Sequence, residues 1–462
     1  MVYKSDYSME EIEQIKQYSL EDWIDYADNE AIINKNVKII VKGEGLYVYD
    51  INGKKYLDAC SSIFTTICGH GRKEVADAVY SQMRILEFSP SLKTFHTIPP
   101  IKLSKKIASI TPGNLTRTFL VNSGSEAIEA SIKIAKQYFW QRGEGKRYKL
   151  IARRNSYHGT TYGAISATGH TYEREPFGPF VPGFIHVMNA ICYRCELDLD
   201  QKTCGLACLK NMEKTIIWEG PDTIAAVLID PIPFSHAGYP LPPQGYLEGV
   251  RRLCDKYGIL LIYDEIQTCF GKTGKMFACE NWDALPDILV MGKGFSGGYL
   301  PIAAATATEE IGSEFFKEPG KSLRHGHTQG GHPVACIAAL KTIEIIEKEN
   351  LLNNAIEIGK YLRDGLSGNL SKYPIVGLIG GMGLLFGIIL GQNKNPKTPL
   401  DPNLKAGQWI MDKCYDKGVI VRDNGDIIAI VPPLNITKTE ADIIINVVEE
   451  SISEAVKYFN FK

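Results

Sequence analysis

The chain is 462 residues long, 44% hydrophobic and 23% charged, with 51 Lys and Arg against 53 Asp and Glu. That length exceeds one small core and implies two or three domains. A formal net charge of −2 excludes a dominant nucleic-acid or anionic-membrane partner, and no apolar run approaches the ~20 residues of a membrane span.

The N-terminal stretch "MVYKSDYSMEEIEQIKQYSLEDW" is polar and acidic and lacks the apolar core of a signal peptide. With 11 cysteines, an odd count, this implies a reducing, cytoplasmic compartment with most thiols free. "GEGLYVYDINGKKYLDA" (Gly43 to Ala59) predicts a hairpin, its flanks alternating about a turn at Asn52-Gly53. From about Thr118 the texture changes to short apolar runs without alternation: "TFLVN", "IAAVLID", "ILLIYDE" and "DILVM". Such runs suit strands buried on both faces. Helical segments lie between them, such as "YLEGVRRLCDKYG", whose glycine stops the helix. The alternation predicts a mostly parallel sheet with packed helices. After about Ile345, patterns ending in "VIVRDNGDIIAIVPPL" predict a smaller α+β part that the N-terminal hairpin region joins.

In parallel sheets, ligands sit beyond the carboxyl ends of the strands. The apolar runs end at Asp230, at Asp264-Glu265 and at Gly292-Lys293, which brings two strands' acids and a lysine to one edge. Strand ends are also polar simply because they meet water. A lysine in a partly desolvated cleft can attack a carbonyl to form a Schiff base. Pyridoxal phosphate needs such a lysine, a carboxylate near its pyridine nitrogen and a phosphate cup. "FLVNSGSEAIEAS" offers a cup, with Ser123, Gly124 and Ser125 opening a helix, although "NSGSE" is also an ordinary helix cap. Gly292, Gly294 and Gly297 spell a dinucleotide fingerprint. The acidic ribose ligand expected ~20 residues on is missing, because "ATEEIGSEFF" there predicts a helix start.

With these motifs in hand, the sequence resembles a class III aminotransferase of the fold type I pyridoxal-phosphate enzymes. The resemblance runs through "VNSGSEAIEAS", "SYHGTTYGAISATG", "LLIYDEIQTCFGKTGKMFACE", "MGKGFSGGYLPIAA" and "HGHTQGGHPVACIAAL". It implies an α/β fold: a large, mostly parallel seven-stranded sheet domain with a smaller α+β domain from both termini. The corresponding bounds are 1–75 and 345–462 for the small domain and 76–344 for the large one, with a cysteine-containing insertion at about 189–212.

The resemblance assigns Lys293 to the Schiff-base lysine that shuttles the proton, and Asp264 to the partner of the pyridine nitrogen. Ile266 would pack beneath the ring, Tyr157 would stack on its other face, and Gln267 would approach its phenolic oxygen. His158 joins this cofactor-binding set, and Ser123, Gly124 and Ser125 match the phosphate cup. Thr328 matches a threonine that reaches the phosphate from a neighbouring subunit, which implies a homodimer or a dimer of dimers. Phe64 stands where amine:pyruvate-type members carry a pocket aromatic. Arg422 matches their carboxylate-binding arginine, though in isolation it is equally a surface arginine.

The chain also departs from the family. Members acting on ornithine, acetylornithine or 4-aminobutyrate pair a glutamate with an arginine, and here those positions are Ser235 and Ala429. An arginine usual in the "LIGGMGLLFG" segment is replaced by Gly380. The implied reaction is transamination from an amine or ω-amino acid to a 2-oxo acid, pyruvate foremost, with an amino-acid racemase or epimerase as the alternative. Finally, Cys192, Cys195, Cys204 and Cys208 form C-x2-C-x8-C-x3-C. That pattern is compatible with zinc, an iron–sulfur cluster, free thiols or disulfides, with Cys204 and Cys208 on one helix face as a further reading.

Overall fold

In the computed structural model of the chain, residues 7–19, 21–26, 29–34, 37–392 and 397–461 are described. The first six residues and Leu20 of the N-terminal stretch quoted above lie outside them.

A seven-stranded sheet dominates, in the order Leu115–Val121, Ala303–Thr308, Ile288–Met291, Leu260–Asp264, Ile224–Ile229, Lys149–Arg153, Phe184–Val187. All neighbours pair in parallel except Ala303–Thr308, which runs against both strands it touches. Every residue of Ile224–Ile229, Leu260–Asp264 and Ile288–Met291 is buried, as unalternating apolar runs require. Their side chains divide by parity. Leu260 and Ile262 join one core layer with Val290 and Ala305, and Leu261 and Tyr263 join the other with Leu289 and Ala304. Each buried Leu or Ile contributes roughly 1.5–3 kcal/mol, so both faces of the sheet are anchored. Leu115–Val121 differs from the expectation: it is the edge strand, and only its terminal Leu115 and Val121 are fully buried.

Helix Gly124–Gln141 lays Ala127, Ile128, Ala130, Ala135 and Phe139 on the sheet. Helix Tyr246–Tyr257 buries Leu247, Val250 and Cys254 and stops at left-handed Gly258. The predicted helix start after the glycine fingerprint is present as Glu309–Glu314, capped by Thr308.

The hairpin forms as Tyr47–Asp50 against Lys55–Asp58. Asp50 Oδ1 accepts the turn amides of Asn52 at 3.0 Å and Lys54 at 2.8 Å. Lys55–Asp58 also pairs in parallel with Val419–Ile420, so the two ends of the chain share a four-stranded sheet. A second four-stranded sheet joins Val376–Met382, Leu385–Leu390, Ile427–Ile430 and Arg422–Asp423. The architecture is a large, mostly parallel sheet with a smaller α+β part drawn from both chain ends. No helix among the described residues is long and apolar enough to cross a membrane.

Candidate active site

The parallel strands deliver their carboxyl ends to one edge, and the candidate site begins there. Asp264 closes its strand fully buried. Its Oδ2 lies 2.8 Å from His158 Nδ1, and its Oδ1 accepts the Ile266 amide at 3.0 Å. Burial pushes the Asp264 carboxyl above its usual range, while the His158 hydrogen bond and charge pull it back. Glu265 turns the other way: it accepts the amides of Ala278 at 2.5 Å and Cys279 at 2.8 Å, and burial raises it to about 7. Asp230 is committed to Arg153, a fully buried pair, and also accepts the Phe234 amide at 3.1 Å. Of the acids at this edge, Asp264 alone faces Lys293.

Lys293 opens a short turn after Ile288–Met291, with φ at 44°. Its side chain is half-buried, and burial, then the charge of Arg422, lower its pKa to about 8 against the pull of Asp264. The amine stands 5.4 Å from the centroid of Phe64, and the Arg422 guanidinium lies 5.9 Å from the same centroid. The structure therefore brings Lys293, Asp264, His158, Phe64 and Arg422 together. Tyr157 is partly buried within electrostatic reach of Asp264 and Arg422. Gln267 is buried, and its Oε1 accepts the Tyr239 hydroxyl at 2.9 Å.

Phe64 is held in an unusual way. Ser61, Ser62, Ile63 and Phe64 are all left-handed, with φ of 47°, 45°, 60° and 71°. Each such residue costs roughly 1–2 kcal/mol relative to the right-handed form, so the turn persists only because its surroundings hold it. Asp58 accepts the Cys60 amide at 3.1 Å and the Ser62 amide at 2.8 Å. His70 Nε2 lies 2.9 Å from the same carboxylate.

Arg422 lies opposite Ala429 in the register of two antiparallel strands. A guanidinium at either position would share one face, and this chain carries it at 422. No carboxylate pairs with Arg422 among the described residues. Ser235 is buried beside Tyr239. Gly380 now has a physical reason: a Cβ there would strike the Gly238 carbonyl and come to 3.0 Å from the Tyr239 carbonyl.

At the helix start, Ser123 Oγ accepts the Glu126 amide at 3.2 Å and acts as the N-cap. The amides of Gly124 and Ser125 make no hydrogen bond among the described residues, leaving an anion-accepting end. Gly124 is packed so closely that a Cβ would lie 2.9 Å from Ile266 Cδ1. A half-buried lysine amine, a buried carboxylate with its histidine, and open amides beside Ile266 fit what pyridoxal phosphate requires. Thr328 is exposed on the turn before helix Pro333–Lys348, without a hydrogen bond to this cluster among the described residues.

Cys192, Cys195, Cys204 and Cys208 line one cavity of about 30 Å³ as free, partly buried thiols. Among the described residues, no group of three or more His, Cys, Asp or Glu side chains is arranged to hold a metal ion. The zinc or iron–sulfur expectation therefore finds no support in the geometry. The helix-face reading is corrected: Cys208 is on helix Ala207–Glu219, but Cys204 precedes it.

Three contributors escaped the sequence reading. Tyr26 approaches Tyr157 and Glu173 from a distant N-terminal segment, which no local pattern signals. Arg153, the end of "KLIAR", shows one weak signal, a cation closing an apolar strand. Lys272 is fully buried, and burial lowers its ammonium to about 7. It sits inside the quoted "FGKTGK" without any pattern marking it.

The family model for aminotransferase class-III matches residues 31–452. An adenosylmethionine-8-amino-7-oxononanoate aminotransferase of Methanocaldococcus jannaschii is 38% identical over 94% of this chain and 96% of its own length. A taurine–pyruvate aminotransferase of Bilophila wadsworthia is 36% identical over 91% of this chain and 93% of its own. Among solved structures, an (S)-enantioselective omega-transaminase from Thermomicrobium roseum superposes with a TM-score of 0.92 at 34% identity, covering 98% of this chain and 100% of that one. The fold and site define a transferase of the pyridoxal-phosphate-dependent fold type I. The chain belongs to the class III aminotransferases and is an aminotransferase.

Proposed function

We propose that this chain moves an amino group from a primary amine or ω-amino acid to a 2-oxo acid, pyruvate, using pyridoxal phosphate in two half-reactions. One observation carries the reading: the Lys293 amine, its pKa lowered, stands 5.4 Å from the centroid of the Phe64 ring that Arg422 also approaches, in the field of Asp264. Pyridoxal phosphate, when bound, supplies an aldehyde that holds the amine and a ring that takes up the electron pair released at the substrate carbon.

The chain's own residues do the rest. Lys293, with its pKa near 8, has an appreciable neutral fraction at pH 7 for holding the aldehyde. With the donor amine in place, Lys293 Nζ would be the group that moves a proton. Asp264, oriented by His158, would hold the proton on the pyridine nitrogen. Ile266 and Tyr157 would enclose the ring, and Gln267, whose Oε1 accepts the Tyr239 hydroxyl, would keep its amide N–H for the phenolic oxygen. The amides of Gly124 and Ser125, with the hydroxyl of Ser123, hold the phosphate. Arg422, lacking an ion-pair partner among the described residues, receives the acceptor's carboxylate. The taurine–pyruvate relative supports pyruvate in that place.

Division into 76–344 holding the cofactor and 1–75 with 345–462 closing over it belongs to the same reading, supported by the pairing of Lys55–Asp58 with Val419–Ile420. So does a homodimer in which Thr328 serves the neighbouring site. Ile85, Leu92, Phe95 and Ile98 are exposed along one stretch, an apolar surface that association would cover.

The test is to add candidate amines, without acceptor, to the cofactor-loaded protein. Transamination bleaches the visible band stoichiometrically as a carbonyl compound appears, and pyruvate restores the band faster than 2-oxoglutarate does. A band that persists while an L-amino acid loses optical purity would replace this reading with racemisation.

A further inference from the structure

Lys272 plays no part in the chemistry above, yet the fold buries its ammonium completely. Burying an ammonium is unfavourable unless hydrogen bonds replace its water. Lys272 Nζ donates to Ser61 Oγ at 3.0 Å and to the Pro432 carbonyl at 2.9 Å. Ser61 Oγ in turn donates to the Val431 carbonyl at 2.5 Å. No carboxylate lies within ion-pair distance of Lys272 among the described residues, so its hydrogen bonds, not a salt bridge, fix its position.

These contacts tie three separate segments together. Lys272 follows the Asp264 strand, Ser61 opens the left-handed turn, and Val431-Pro432 follows Ile427–Ile430, the strand paired with Arg422–Asp423. Ser61 to Phe64 would relax to the right-handed form if released. Relaxation would swing Phe64 away from Lys293 and Arg422.

We infer that Lys272 is a positioning residue: it clamps the left-handed Ser61–Phe64 turn and so holds the Phe64 ring as the wall against which the amine donor is bound. This rests on the reading of Phe64 as part of the donor pocket. Asp58, itself held by His70, grips the turn through Cys60 and Ser62, while Lys272 and the Val431 carbonyl share the hold on Ser61.

The experiment is a double-mutant cycle on the cofactor-loaded enzyme, with a primary amine and pyruvate as substrates. Lys272→Met lowers donor kcat/KM about tenfold, while the affinity for pyridoxal phosphate and its absorbance band stay unchanged. In a Phe64→Ala background the same substitution costs less than twofold, and Lys272→Arg recovers most of the loss. Independently of turnover, hydrogen exchange in peptides covering 58–65 speeds up about tenfold in Lys272→Met, with and without cofactor. If Lys272→Met does not fold, Ser61→Ala takes its place in the cycle, since it removes only the bridging hydroxyl. An undiminished loss in the Phe64→Ala background, or unchanged exchange at 58–65, overturns the inference. If Phe64→Ala alone leaves donor kcat/KM intact, the pocket reading has failed, whatever Lys272 does to exchange.

Discussion

His158 Nδ1 and Asp264 Oδ2 meet at 2.8 Å, both side chains wholly removed from solvent. A hydrogen bond to a charged group is worth about 1.5–3 kcal/mol, and here it opposes the burial that favours a neutral Asp264. His158→Leu therefore weakens pyridoxal phosphate binding about 10- to 100-fold, read by absorbance titration. His158→Asn, which keeps a donor, loses less. Equal affinity in both variants would reduce the pair to packing.

Capture of the cofactor by the empty protein depends on the neutral form of Lys293. Its rate rises with pH and levels off above about 8, the value to which burial and Arg422 lower the amine. Arg422→Leu removes the cationic contribution and moves that midpoint upward. Stopped-flow mixing of apoprotein with pyridoxal phosphate across pH 6 to 10 checks both statements.

Acid stability follows from two further histidines. Burial lowers His186 and His236 to about 4, below the 6.5 of an unfolded chain. As pH falls from 6.5 to 4 the unfolded chain takes protons that the native state refuses. Each histidine then withdraws stability at about 1.4 kcal/mol per pH unit. Glu265 works in the opposite sense: its native value near 7 exceeds the ordinary 4.5, so its contribution improves as pH falls between them. Two histidines against one glutamate leave a net loss on acidification. Urea midpoints at pH 7, 6 and 5 fall in that order, and His236→Gln flattens the slope.

Restoring the arginine that relatives carry at 380 harms this chain. A Cβ at Gly380 meets the carbonyls of Gly238 and Tyr239, and overpacking costs typically about 1–3 kcal/mol. Gly380→Ala already lowers the thermal midpoint. It also disturbs the Tyr239–Gln267 hydrogen bond, read as a shifted cofactor band.

Much of the large sheet was legible because its strands are buried on both faces, and unbroken apolar runs such as "IAAVLI" announce that directly. The position of Lys293 and Asp264 at one sheet edge was legible for a related reason: a charged residue closing such a run emerges where the strands end. Leu115–Val121 misled because its run is short and its edge position depends on which strand it pairs with. The clamp on Phe64 was illegible, since left-handed Ser61–Phe64 contains no glycine and its support arrives from Lys272 and Val431. Arg153 with Asp230, and Tyr26 with Tyr157, are likewise products of tertiary approach, which periodicity does not encode. The cysteine spacing suggested a metal centre, but spacing says nothing about whether sulfurs converge on one point.

The parallel pairing of Lys55–Asp58 with Val419–Ile420 has a consequence for biosynthesis. Strands carrying Asp264 and Lys293 are complete while the last third of the chain is still unmade. Phe64 waits for Val431 to seat its turn, and Arg422 is itself among the last residues translated. During synthesis, the edge bearing Asp264 and Lys293 is thus translated well before Arg422 and the residues that seat Phe64. A ribosome-bound chain lacking its final strands would carry the reactive amine with nothing to choose what reaches it.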